Sequence, residues 1–159
     1  MNGELHRPIT DEEIATYQRD GVVCLRGFFD SDWVEHLRKQ VDADMAEPSP
    51  MRKNVDAEEG EKGFFFDTFI SHHLEGFEKA VRESPGAEIA GKLMRSNKIN
   101  LLFDQLLIKD PGATTRTVWH HDATYWPVSG NQICTLWLAL DPVTHETGAV
   151  EYIKGSHLW

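Results

Sequence analysis

The sequence predicts an α+β domain in which helices come first and antiparallel strands follow. Two observations carry this reading. Up to about Lys98, apolar residues recur at helical spacing between cap and stop signals. After Asn97 the chain turns to short β-branched and aromatic runs separated by turn residues.

The elements follow in order. Thr10-Asp11-Glu12-Glu13 is a capping box, in which Thr10 caps and Glu13 reaches back to it. Ile14 and Tyr17 then give a short amphipathic helix ending near Asp20-Gly21. Val22–Arg26 reads as a strand. Asp30-Ser31-Asp32 starts a second helix, with Val34, Leu37, Val41 and Met45 spaced for one buried face. From Glu47 to Lys62 the composition shifts to Pro, Glu, Asp, Lys and Gly, the signature of a long polar loop. Phe64–Phe66 restart apolar structure. Leu74 through Arg82 and Gly86 through Arg95 read as helices separated by Ser84-Pro85-Gly86. Ile99–Lys109, Thr115–Thr124, Ile133–Leu140 and Ala149–Ile153 are the predicted strands, with a turn at Asp110-Pro111-Gly112.

Helices followed by such strands suggest a sheet that closes as a double-stranded β-helix, or jelly roll, of the cupin-like kind. About eight strands complete that architecture, and about half are found. The expectation is one domain over 1–159, mainly helical over 1–98 and jelly-roll over 99–159, with the C-terminal strands missing.

At 159 residues and 40 % apolar, the chain is long enough to bury a core. A net charge of −10 argues against a nucleic-acid or anionic-membrane partner, because nothing would offset phosphate repulsion. The first residues carry neither a basic nor an apolar leader region, and no stretch approaches the roughly 18 apolar residues of a membrane span. A cytoplasmic protein, monomeric or homodimeric, is the expectation. Cys24 and Cys134 each sit inside apolar runs and are expected as buried free thiols, without a disulfide framework or a Cys-based zinc site.

Trp119-His120-His121-Asp122 carries the chemistry. In a strand, side chains at i and i+2 share a face, so His120 and Asp122 are placed to grip one metal ion while His121 points away. Such a pair is two-thirds of the 2-His-1-carboxylate triad of non-haem Fe(II). His-x-Asp alone is a weak pattern in a chain with eight histidines, and its bland reading is a strand-end pair bonded to backbone. Aromatic residues on both sides, Trp119 and Tyr125-Trp126-Pro127, favour the metal. They suggest an apolar pocket, where a charged Asp needs a cation or strong hydrogen bonds.

Thr117-Val118-Trp119-His120-His121-Asp122 with Tyr125-Trp126-Pro127 resembles the WHxDxxYWP segment of the phytanoyl-CoA dioxygenase family, which are Fe(II)- and 2-oxoglutarate-dependent oxygenases. Asp104-Gln105 with Lys109, Pro111 and Gly112 resembles that family's DQxxxKxPG strand. Trp137-Leu138-Ala139-Leu140-Asp141, Thr147-Gly148-Ala149 and Gly155-Ser156-His157 resemble its later motifs. The similarity is strongest over 100–157.

The resemblance implies roles. His120 and Asp122 match the first two iron ligands. Lys109 matches a position near 2-oxoglutarate; it offers that cosubstrate a cation or simply faces solvent at a strand edge. Thr117 is implied as a hydroxyl donor to the cosubstrate, and Trp137 as an aromatic packed beside it or as plain core. Gln105, Tyr125 and Trp126 match positions that line the substrate pocket. The implied partners are a small-molecule or acyl substrate and dioxygen. A retained Asp122 favours hydroxylation over halogenation, since related halogenases replace that carboxylate by a small residue.

The distal histidine and the arginine that anchors 2-oxoglutarate are not matched in this sequence, and His157 corresponds to a structural turn residue. Two alternatives stay open. One is a catalytically inactive short form serving as a binding or regulatory module. The other is a cupin-like metalloenzyme without 2-oxoglutarate, using His120, Asp122 and His157.

Overall fold

Thr10 begins the regular structure as predicted. Its hydroxyl accepts the Glu13 N–H at 3.2 Å, and the Glu13 carboxylate accepts the Thr10 N–H at 2.8 Å. This capping box opens α1 (Asp11–Asp20) and satisfies donors that a helix start leaves orphaned. The Arg7 guanidinium, paired with Glu13 at 2.6 Å, leads the causes that hold the Glu13 carboxyl down at about 2. The computed structural model describes residues 1–55, 63–113 and 115–159, and the element order is α+β. Four α-helices are described: α1, α2 (Ser31–Ala46), α3 (Glu75–Glu83) and α4 (Gly86–Met94). One antiparallel sheet has the order β1 (Lys53–Val55), β2 (Phe64–Thr68), β3 (Gln105–Lys109). The chain divides into two units, one of Met1–Val34, Glu83–Ile99 and His121–Trp159, the other of Glu35–Arg82 and Asn100–His120.

In the first unit α1 packs against α4. Phe28, Ile89 and Leu93 form the buried centre, and Ile14 and Tyr17 pack on it as their spacing predicts. Gln18 donates its side-chain N–H to the Leu93 carbonyl at 2.5 Å, which occupies an acceptor in the last turn of α4. Gly21 ends α1 in the left-handed region at φ +76, and its N–H bonds to the Tyr17 carbonyl at 2.9 Å. The Gly155-Ser156-His157 turn docks on this helix end. Gly155 N–H donates to Asp20 O at 2.8 Å, Lys154 Nζ lies 3.7 Å from the Asp20 carboxylate, and the His157 ring occupies the space where a Gly21 Cβ would stand. Gly21→Ala should therefore cost about 1–2 kcal/mol for the left-handed backbone alone and displace His157 as well. Urea unfolding checks it, and a loss below about 0.5 kcal/mol would leave the docking unimportant.

In the second unit β2 is the central strand, pairing Lys53↔Phe66 on one side and Phe66↔Leu107 on the other. Phe65, Asp67 and Leu106 are buried on one face of the sheet. Phe64, Phe66, Gln105, Leu107 and Lys109 share the more open face. Asp104, just before β3, holds the 3-10 turn Ile70–His72: its carboxylate accepts the Ser71 N–H at 2.8 Å and the Ser71 hydroxyl at 2.7 Å. Its carbonyl accepts the N–H of Phe69, a non-glycine residue at φ 57. The predicted turn is present, with Ala113 N–H bonded to the Asp110 carbonyl at 2.9 Å.

Several sequence expectations are corrected. Among the described residues, Val22–Arg26, Thr115–Thr124, Ile133–Leu140 and Ala149–Ile153 form no strand, and in Ile99–Lys109 only Gln105–Lys109 does. Period-2 patterning makes a segment ready to pair, but a strand exists only where backbone groups find a ladder. Cys24 is a free thiol but exposed, because the alternation through Val22–Arg26 turns Val23 and Leu25 to the core and Cys24 outward. The polar loop contains β1, a short strand without an apolar signal, and its 56–62 portion lies outside the described residues. α2 buries Trp33, Leu37 and Asp44 instead of a face ending at Met45, which is exposed. No helix among the described residues is long and apolar enough to cross a membrane.

Candidate functional site

β3 delivers the first pair of predicted site residues. Gln105 and Lys109 stand four apart on its exposed face, as the strand period requires. Lys109 Nζ donates to the Thr115 carbonyl at 3.3 Å and to Thr117 Oγ1 at 3.4 Å, and lies 5.0 Å from the centroid of the Phe64 ring, its register partner. The second unit thus brings together Lys109 and Thr117, two of the three residues matched to cosubstrate contacts. An ammonium beside a hydroxyl over an aromatic face suits a carboxylate, which takes charge from the first and a hydrogen bond from the second.

His120 is exposed at the end of the same unit. Its Nδ1 stands 2.7 Å from the Val118 carbonyl, where it donates as Nδ1–H, and this tautomer puts the ring's lone pair on Nε2. Metal-ligating histidines characteristically bond backbone in this way through their other nitrogen.

Asp122 belongs to the first unit and departs from the expected strand. His121 is extended at φ −107 and ψ 128, and Asp122 then opens a 3-10 turn, Asp122–Tyr125. The i, i+2 relation of a strand therefore does not apply at Asp122. Its carboxylate accepts the Thr135 hydroxyl at 3.1 Å. The Tyr152 phenol is pushed up by desolvation first and by the negative charge of Asp122 second. The His121 ring lies 6.2 Å from that of Trp159, in aromatic contact.

The aromatic residues matched to the site are partly or largely open to solvent. Trp119 is 66 % exposed, Tyr125 71 % and Trp137 45 %, and Trp126 is half-buried. Two clefts of the first unit, of about 220 Å³ at Tyr17, Gln18 and Gln132 and about 340 Å³ at Glu88 and Lys92, are lined by none of the predicted site residues. Beside the first cleft, burial pushes up the Tyr17 phenol and the Cys134 thiol, so Cys134 is not an activated nucleophile.

His120 offers an imidazole nitrogen and Asp122 a carboxylate, each of a donor type that suits a divalent metal. Among the described residues no group of three His, Cys, Asp or Glu side chains forms a complete metal cluster. His157 packs at the end of α1. Sequence reasoning missed Thr135 and the Val118 carbonyl, the groups that hold the two candidate ligands. A threonine within an apolar run and a backbone oxygen leave no residue-type signal.

With this geometry in view, the family model for phytanoyl-CoA dioxygenases matches residues 17–159. The multifunctional dioxygenase prhA of Penicillium brasilianum is 24 % identical over 172 residues, covering 94 % of this chain and 52 % of that protein. The phytanoyl-CoA dioxygenase domain-containing protein 1 of Danio rerio is 25 % identical over 192 residues, covering 94 % of this chain and 66 % of that protein. The chain thus spans about half to two-thirds of the length of these relatives. No solved structure gives a significant match.

Proposed function

The chain belongs to the phytanoyl-CoA dioxygenase family, and on that premise we propose that it carries the Fe(II)- and 2-oxoglutarate-binding part of an oxygenase that hydroxylates a small-molecule or acyl substrate. The jelly-roll architecture belongs to this reading. The supporting observation is the hydrogen bond from His120 Nδ1 to the Val118 carbonyl, which selects the tautomer a metal requires at Nε2.

In this reading His120 Nε2 and the Asp122 carboxylate hold the metal, and Thr135 orients Asp122 through its hydroxyl. Iron(II), bound together with 2-oxoglutarate, supplies the dioxygen chemistry that side chains lack. Lys109 and Thr117 receive a carboxylate of the cosubstrate and Trp137 packs beside it, while Gln105, Tyr125 and Trp126 contact substrate. Asp122 keeps a carboxylate where a halide would otherwise bind, which favours hydroxylation. The third protein ligand and an arginine anchor for the cosubstrate are assigned to no residue of this chain.

Anaerobic addition of Fe(II) and 2-oxoglutarate tests the reading. A charge-transfer absorption should appear only when both are present, and admission of dioxygen should convert 2-oxoglutarate into succinate. Metal binding that ignores 2-oxoglutarate would overturn it in favour of a binding module.

A further inference from the structure

The proposed chemistry leaves unused a pair of carboxyl groups inside the second unit. Asp44, near the C-terminal end of α2, is 0 % exposed, and neither of its oxygens meets a hydrogen-bond donor among the described residues. It lies within hydrogen-bonding reach of Asp67 in β2, also 0 % exposed. Asp67 already has donors, the Ser49 N–H at 2.9 Å and the Ser49 hydroxyl. The pocket therefore provides for one carboxylate and not for two, and a second buried negative charge would stand beside the first in a low dielectric.

Two basic side chains face Asp44. Arg52 sits 3.8 Å from the centroid of the Phe65 ring, and His73 has its Nε2 3.2 Å from the Glu47 carbonyl. Both favour ionisation of Asp44. Burial first, then the Asp67 charge and the hydrogen bond to it, outweigh them and raise the Asp44 carboxyl above its ordinary value.

We propose that Asp44 carries a proton which it donates to Asp67, and that this carboxyl–carboxylate pair is a pH-sensitive latch tying the end of α2 to the central strand of the sheet. Asp67 stands opposite Leu106 in β3, the strand that presents Gln105 and Lys109, so release of the latch loosens the support of that face. The sign follows from proton linkage. The folded state binds the Asp44 proton more tightly than the unfolded state does, so stability is fully present below the ordinary aspartate range. It is lost as pH rises through the raised folded value.

Asp44→Asn keeps the shape and a donor toward Asp67 but cannot ionise. Melting temperatures of the 159-residue chain and this variant are compared at about pH 5 and about pH 8, with a chelator present. The unsubstituted protein should lose more on the alkaline side, about 3–5 °C for each tenfold change in the folding equilibrium. Parallel pH curves for the two proteins would overturn the latch. If the variant does not fold, carbon-13 NMR titration of the Asp44 carboxyl in the unsubstituted protein decides. A raised midpoint supports the proposal, and a midpoint in the ordinary aspartate range sinks it. Stabilisation at alkaline pH by Mg²⁺ or Ca²⁺ would also overturn it, in favour of a cation between two carboxylates.

Discussion

Trp33→Ala should destabilise the first unit by about 3–5 kcal/mol, the range for truncating a fully buried large aromatic. Trp33 is 1 % exposed. Its backbone N–H donates to the Asp30 carboxylate at 2.8 Å, which caps the start of α2, and its indole N–H donates to the Asn2 carbonyl at 2.8 Å. Asp30 also accepts the Asn2 N–H at 2.9 Å, and the N-terminal amine meets Asp32 at 2.7 Å. The indole thus ties the N-terminal segment to the helix start, and alanine leaves both a cavity and a carbonyl deprived of its donor. Trp33→Phe separates the two losses. It keeps most of the ring volume and should cost about 1–2 kcal/mol from the lost N–H and the small void. Urea unfolding measures both, and a loss below about 1 kcal/mol for Trp33→Ala would mean the segment relaxes around the gap.

Local chemistry was the most legible layer of this sequence. Thr10 and Glu13 define a cap by residue type and spacing alone, and Gly21 marks a left-handed helix end because other residues pay for that backbone. The shared face of Gln105 and Lys109 followed from the strand period, which β3 realises.

Partnership was the least legible layer. The runs at Thr115–Thr124 and Ile133–Leu140 have the right composition for strands, yet pairing is a property of two segments and cannot be read from one. β1 shows the converse: Lys53-Asn54-Val55 carries no apolar pattern and joins the sheet through its backbone opposite Phe64–Phe66. Asp44 carries no signal in hydrophobic periodicity, which counts only apolar residues, although it lies on the same α2 face as Leu37 and Val41. The meeting of Lys109 with Thr117 depends on the path of the chain beyond Gly112, which no motif encodes.

The proposed metal pair, His120 and Asp122, should dominate function as Trp33 dominates the stability of its unit. His120→Ala and Asp122→Ala are each expected to weaken Mn(II) or Fe(II) binding by at least about 100-fold, more than the roughly 10–100-fold typical of losing a group that supports a ligand. Thr135→Ala should fall within that smaller range, because it removes only the hydroxyl that Asp122 accepts. His121→Ala should leave metal affinity nearly unchanged, since its ring meets Trp159. Asp122→Asn is the sharper test. It can still accept the Thr135 hydroxyl but lacks the negative charge, so binding should fall nearly as far as with alanine if charge is what the metal reads. Calorimetry with Mn(II) ranks the four positions. An order in which His121 matters more than Asp122 would mean that the pair has been assigned to the wrong side chains.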